Sequence, residues 1–301
     1  MAQRLIGVDV GGTKISVAVL DGPRLSEPTI TPTRTGSSDA LVGQLVELAR
    51  AAGPADAIGF GVPSVIDFAT GTARHSVNIP LHGVPLRNIM TDTLGMPAFV
   101  DNDANAAALA EAFDDDLRPI AQTLVMLTVG TGVGGGIVIN GRIHRGATGA
   151  AAELGHLIIG ADLRDGAPPA EQPPQPWSLE GLAAGRALDR LGSARGFVDG
   201  HEVVAKAKTG DPDACDCLRI LGERLGIGIA NMVLALEPEL VVIGGGVSTA
   251  GDLLMEPACR VAREYLLEGL GTRTEIRLAR YGPEAGVRGA ALLARQELEE
   301  V

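Results

Sequence analysis

Four polar side chains fall within five positions of the run VDNDANAAALAE: Asp101, Asn102, Asp103 and Asn105. They stand where a short apolar strand gives way to an Ala-rich helix. One of them would suffice to cap that helix, and Asp101 or Asp103 is the natural candidate. The surplus points to chemistry. A carboxylate at such a junction can accept the proton of a substrate hydroxyl, as phosphoryl transfer requires. That reaction also needs phosphate contacts and a magnesium ion.

Phosphate contacts are offered by VDVGGTK, residues 8–14. Adjacent glycines weaken a strand and allow close approach to its backbone. Asp9 ends the strand, Gly11 and Gly12 expose N–H groups, Thr13 adds a hydroxyl and Lys14 a positive charge. Such a nest can hold phosphate oxygens. The plain alternative is an ordinary Gly-rich hairpin. The spacing is not that of a Walker loop, and a strand rather than a helix follows, which excludes a dinucleotide fingerprint. A second cluster, GTGVGGG at 130–136, contains Thr131 and Gly132, and a third, IGGGVS at 243–248, contains Gly244 and Gly245. Three such clusters in one α/β chain are hard to explain as turns alone. Glu153 and His156 in AAELGHLIIG could hydrogen-bond a polyol, although a lone His there is usually structural. Glu180 opens a helix, where its charge would suit the dipole.

These residues need strands and helices to hold them. Residues 4–20 read as two strands meeting near Gly11-Gly12, with a DG turn at 21–22. Residues 39–52 have helical spacing with Asp39 as candidate N-cap. AIGFGVPSVID is a buried strand running into a loop. The segment 123–143 repeats the plan of the opening: strand, Gly/Thr-rich turn, strand, NG turn. Helices are expected at 178–192, 201–209 and 212–236, then a buried strand ELVVIGGG, a further helix, and a C-terminal helix. The alternation implies an α/β fold. The Pro-rich stretch at 160–177 reads as an extended surface loop.

Composition narrows the function classes. The chain has 301 residues, a net charge of −12 and only 3% aromatics. An acidic, aromatic-poor protein suits neither phosphate-backbone binding nor base stacking. Cys215, Cys217 and Cys259 do not form a disulfide framework and suit a reducing cytoplasm. The spacing of Cys215 and Cys217 puts them on different helix faces, as ordinary packing does. Neither a signal peptide nor a membrane span is visible.

The motifs GVDVGGTKISVAVLDG, GFGVPSVID, NIPLHGVPL, VDNDANAAALAE, TVGTGVGGGIVINGRIHRGATGAAAELGHL and VVIGGGV occur in this order over nearly the whole chain. Together they resemble the ROK family of sugar kinases, especially bacterial glucokinases of the actin-like ATPase superfamily. The resemblance implies an α/β fold of two actin-like (ribonuclease H-like) lobes with sugar and ATP in an interlobe cleft. The small lobe would span 1–117, with helix 286–301 packing back on it, and the large lobe 118–285. Asp103 resembles the catalytic base on a sugar hydroxyl, commonly that on carbon six. Asn78, Asn102, Asp103, Glu153, His156 and Glu180 resemble sugar contacts. Asp9, Gly11, Gly12, Thr13 and Lys14 resemble the first phosphate loop, Thr131 and Gly132 the second, and Gly244 and Gly245 the adenosine-side loop. ATP with Mg2+, a homodimer and a cytoplasmic location follow by the same resemblance. Glucose is the expected substrate, with an N-acetylhexosamine, mannose or fructose as alternatives and polyphosphate as an alternative donor.

The sequence departs from the family pattern in two places. The Cys-rich run that holds a structural zinc in most of the family is replaced by IIGADLRDGAPPAEQPPQPWSLEG, which has no cysteine. Four N/S ligands are needed for such a site, so no structural zinc is expected. Ser64 stands in GVPSVID where the family usually has Gly. A sugar sensor without catalysis is the alternative from another class. Regulators of the family carry a helix-turn-helix ahead of the first phosphate strand, where this sequence begins, and the acidic charge also opposes DNA binding.

Overall fold

The β-branched runs on either side of Gly11 and Gly12 form an antiparallel hairpin, β1 (Arg4–Val10) and β2 (Lys14–Asp21). The computed structural model describes residues 3–76 and 78–299. The DG turn leads to β3 (Arg24–Leu25), and β4 (Thr29–Pro32) returns to pair with β2. Then follow α1 (Ser38–Ala51), β5 (Ala57–Val62), the β6–β7 hairpin (Ser64–Asp67, Thr72–Ser76), α2 (Leu86–Leu94), β8 (Ala98–Asn102) and α3 (Asp103–Glu111). The opening plan returns in β9 (Thr123–Val129), β10 (Val133–Ile139) and β11 (Arg142–Ile143). The remainder is α4 (Leu179–Ala183), α5 (Gly185–Ser193), α6 (Gly200–Ala207), α7 (Pro212–Leu236), β12 (Leu240–Gly244), α8 (Asp252–Glu264), β13 (Glu275–Leu278) and α9 (Ala285–Leu298). The fold is mixed α/β.

The chain falls into two compact units. The first comprises the described residues of 1–122, 136–152 and 280–301, the second those of 123–135 and 153–279. The sequence-based division, with 118–285 as the large lobe, differs from this one, because 118–122, 136–152 and 280–285 cluster with the first unit.

In the first unit the sheet order is β3-β2-β1-β5-β8, with β4 off β2. β5 runs parallel to β1 and β8 parallel to β5, so helical crossovers must join them. Both faces are covered, and β5 is buried along its whole length. One face packs Ile6, Val8, Phe60 and Val100 against Leu41 and Leu45 of α1 and Met90 of α2. Each such side chain contributes roughly 1.5–3 kcal/mol on burial. On the other face Leu5 and Phe99 meet Leu109 of α3 and Leu292 of α9. Gly7 and Gly59 are register partners there. A Cβ on Gly7 would lie 2.0 Å from the Val287 carbonyl oxygen, and one on Gly59 1.8 Å from that of Ala290. The pair is a notch into which α9 settles, so the C-terminal helix belongs to the first unit.

The second sheet has the order β11-β10-β9-β12-β13, and the division between units falls within β10. β9, β12 and β13 are parallel to their neighbours in that order. β9 and β1 bury the same positions along their seven residues, which is the repeat seen in the sequence. α7 packs along α8.

Three local expectations are corrected. The N-cap of α1 is Ser37, whose hydroxyl accepts from Ala40 N at 3.1 Å, not Asp39. The single helix expected at 178–192 is two, because Ala184 is extended (φ −76°, ψ 171°) and separates α4 from α5. Neither aspartate caps α3: Asn102 does. The Pro-rich stretch has no helix or strand and is mostly exposed.

Candidate active site

The first unit brings together Asp9, the Gly11–Lys14 turn, Asn78, Asn102 and Asp103. The turn is tightly braced. Gly11 N donates to Lys14 O at 2.8 Å, Thr33 Oγ1 donates to Gly11 O at 2.7 Å, and Thr33 N donates to Thr13 O at 3.1 Å. Neither Gly11 nor Gly12 has a positive φ. The glycines are there for space: a Cβ on Gly12 would lie 3.2 Å from the Cβ of Asn78. The side chains of Thr13 and Lys14 are exposed.

Asp9, near the end of β1, is half-buried. Its carboxyl is pushed up from the ordinary 3.8 to about 7, first by burial and then by the Asp103 carboxylate, with Lys14 opposing. α9 crosses close by, since a Cβ on Gly286 would lie 2.6 Å from the Asp9 carboxyl carbon. Two carboxylates and a lysine thus share one corner of the first unit. Repulsion within the acid pair is what a divalent cation carrying phosphate would relieve. One or two carboxylates plus substrate phosphates and water are also the usual protein contribution to a magnesium site. The donor set at Asp9 therefore fits Mg2+.

The turn after β8 is held from several sides. Asn102 Oδ1 accepts from Ala104 N at 2.9 Å and Asn105 N at 3.2 Å, and its Nδ2 donates to Ser64 O at 3.4 Å. Asp103 Oδ1 accepts from Ala104 N at 2.9 Å. Behind them Asp101, only 3% exposed, accepts from Asn102 N at 2.8 Å and Asn105 Nδ2 at 2.9 Å through Oδ1. Its Oδ2 accepts from Arg145 Nε at 2.7 Å, and Arg145 Nη2 donates to Glu297 Oε1 at 2.8 Å. Sequence reasoning missed Arg145 and Glu297, because no local pattern links positions so far apart. Ser64, the departure from the family pattern, donates to the carbonyl of His75 at 2.8 Å and is buried.

The second unit gathers the remaining candidates. Thr131 is exposed at the β9–β10 turn, where Gly130 N donates to Gly132 O at 2.9 Å. Glu180 at the start of α4 accepts from Val133 N through Oε2 at 2.7 Å. A Cβ on Gly132 would lie 2.3 Å from that oxygen. Glu180 thus does more than complement a helix dipole: it supports the second hairpin. Glu153 precedes and His156 ends a 3-10 turn (Leu154–His156), both exposed, with Oε2 and Nε2 3.8 Å apart. Gly244 closes β12, and Gly245 follows at φ +87° with its Cβ position 2.4 Å from the Val129 carbonyl oxygen, so only glycine fits. Cys215 and Cys217 lie on α7 and Cys259 on α8. Burial pushes the thiols of Cys217 and Cys259 up. Among the described residues no three His, Cys, Asp or Glu side chains are grouped to hold a metal ion, and no helix is long and apolar enough to cross a membrane.

Comparison with known proteins follows the same lines. The model of the ROK family matches residues 5–297. A glucokinase of Halalkalibacterium halodurans is 33% identical over 97% of this chain and 95% of its own length. An N-acetyl-D-glucosamine kinase of Escherichia coli is 32% identical over 95% of this chain and 98% of its own. Among solved structures, a ROK hexokinase from Thermus thermophilus superposes with a TM-score of 0.85 at 38% identity, covering 99% of this chain and 100% of that one. A ROK family glucokinase from Streptomyces griseus in complex with glucose and AMPPNP gives 0.77 at 30% identity, covering 97% and 99%.

Proposed function

This chain belongs to the ROK family, and on that premise we propose that it transfers the γ-phosphoryl group of ATP to a hexose, most readily to the carbon-six hydroxyl of glucose. The observation that carries the reading is the corner of the first unit where Asp103, Asp9 and the Gly11–Lys14 turn meet. Asp103 acts as general base: its carboxylate accepts the proton of the attacking hydroxyl as the oxygen engages phosphorus. Asn78 and Asn102 orient the sugar beside it. The Gly12 N–H group, the Thr13 hydroxyl and the Lys14 ammonium neutralise phosphate charge, while Gly11, whose N–H is given to Lys14 O, shapes the turn. On the second unit, Thr131 and Gly132 are assigned to phosphate and Gly244 and Gly245 to the adenosine side. Glu153, His156 and Glu180 are assigned to the sugar, with Glu180 also holding the second hairpin. Mg2+, with Asp9 as its protein ligand, supplies electrostatic stabilisation of the phosphate oxygens when bound.

The similarity to N-acetyl-D-glucosamine kinases supports a second reading in which an N-acetylhexosamine is the acceptor. We further assign the protein to the cytoplasm, where its free thiols would stay reduced, as a homodimer. A matrix of hexoses against ATP and polyphosphate, read by product formation with Mg2+ present, tests the reading. Turnover with glucose and ATP is expected to lead. Preference for an N-acetylhexosamine selects the second reading, and sugar binding without transfer from any donor would replace both with a sugar sensor.

A further inference from the structure

We infer that Arg145 is a positioning residue for the base at Asp103, acting through Asp101; the inference rests on the kinase reading and deepens it. Arg145 follows β11 and reaches three other parts of the first unit. Its Nε donates to Asp101 Oδ2 at the end of β8 at 2.7 Å. Its Nη2 donates to Glu297 Oε1 near the end of α9 at 2.8 Å. Its guanidinium lies over the Phe68 ring, 3.5 Å from the centroid, in the β6–β7 turn. Arg142 adds a longer contact to Glu297 at 3.8 Å. Asp101 and Glu297 are both buried acids. Buried carboxylates require a paired cation, and here one planar fork serves two of them at once.

The contact bears on catalysis because of which oxygen it uses. Arg145 takes Oδ2 of Asp101 and leaves Oδ1 to accept from Asn102 N and Asn105 Nδ2. The carboxylate is thereby fixed in rotation, and its second oxygen ties down the first turn of α3. That turn contains Asn102, which caps the helix, and Asp103. Asn105 is itself only 2% exposed, with Nδ2 committed to Asp101. Without Arg145 two buried acids lose their shared cation. Asp101 then gains by turning toward solvent, and the turn under Asp103 loosens. Misplacement of a catalytic group by about 1 Å costs on the order of 10²-fold in rate.

Arg145→Met, Arg145→Lys, Asp101→Asn and the Met/Asn double variant test this in the full chain. Steady-state kinetics are run beside calorimetric glucose binding, thermal melting, and hydrogen exchange of the peptide covering 101–106. For Arg145→Met, kcat is expected to fall at least about tenfold, well beyond any loss of glucose affinity through Asn102 on the same turn, and exchange rises at 101–106 and, where Glu297 loses the same cation, near the end of α9, while the rest of the chain keeps its protection. Arg145→Lys should recover part of kcat, because an ammonium serves one acid but not the fork geometry. The double variant should lose no more than its worse single parent, since both act through one contact. Wild-type kcat, or unchanged exchange at 101–106, in Arg145→Met overturns the inference. So does a loss that tracks the melting temperature and glucose affinity alike, or additive losses in the double variant. If the wild type phosphorylates no sugar, the kinase reading fails by itself, and the exchange measurement still decides whether Arg145 holds the turn.

Discussion

Replacing Asp9 by asparagine should make the protein more stable and inactive at once. In the native state the Asp9 carboxyl titrates at about 7 instead of 3.8, because burial and the neighbouring Asp103 carboxylate disfavour its charge. Between those two values the folded protein holds a proton that the unfolded chain has released. Stability therefore falls as pH rises through this window, and the loss is complete above the folded value. At about 1.4 kcal/mol per pH unit, a rise of roughly three gives a ceiling of about 4 kcal/mol. Asp9 is only half-buried, so about half of that, ~2 kcal/mol, is the working figure. An amide side chain cannot ionise. Asp9→Asn should match wild type near pH 4 and exceed it by about 2 kcal/mol near pH 8, in urea unfolding without nucleotide or metal. Far-UV dichroism is the better probe, because Trp177, the single tryptophan, lies in the second unit. The neutral amide also cannot balance a cation charge, so sugar phosphorylation should drop by on the order of 10² or more. A variant less stable than wild type near pH 8, or a gap of equal size near pH 4, would refute the reasoning.

Two further substitutions examine the frame around the site. Gly59→Ala places a methyl 1.8 Å from the Ala290 carbonyl oxygen, so α9 must shift; a loss of about 3 kcal/mol or failure to fold is expected by thermal melting. Gly132→Ala pushes on the Glu180 carboxylate that holds Val133 N. It should raise KM for ATP several-fold, on the order of 1 kcal/mol of lost binding, with the melting temperature little changed.

Much of the frame was legible because the signals are local. Alternating β-branched runs broken by paired glycines give β1–β2 and β9–β10, and their period reveals the repeat. The triple-glycine turn after β12 and the end of α7 before Pro238 were equally plain. Capping was less so: Ser37 and Asn102 took positions expected of Asp39 and of Asp101 or Asp103, since several good caps stood side by side and the backbone geometry of the turn chose among them. The α4–α5 break at Ala184 has no local punctuation at that residue. Side-chain anchors were beyond reach. Arg145 meets Asp101 across 44 positions and Glu297 across 152, and Glu180 meets Val133 across 47. Such pairings are products of tertiary packing, and only the folded chain reveals them. The grouping of 136–152 with the first unit has the same origin, because Arg145 itself is one of the ties.

The central claim is that Asp103 takes the proton of the sugar hydroxyl. The most direct measurement is kcat for Asp103→Asn with glucose and ATP, alongside calorimetric glucose binding by the same variant. A fall in kcat of at least on the order of 10² with glucose still bound is expected. Turnover like that of wild type would contradict the account.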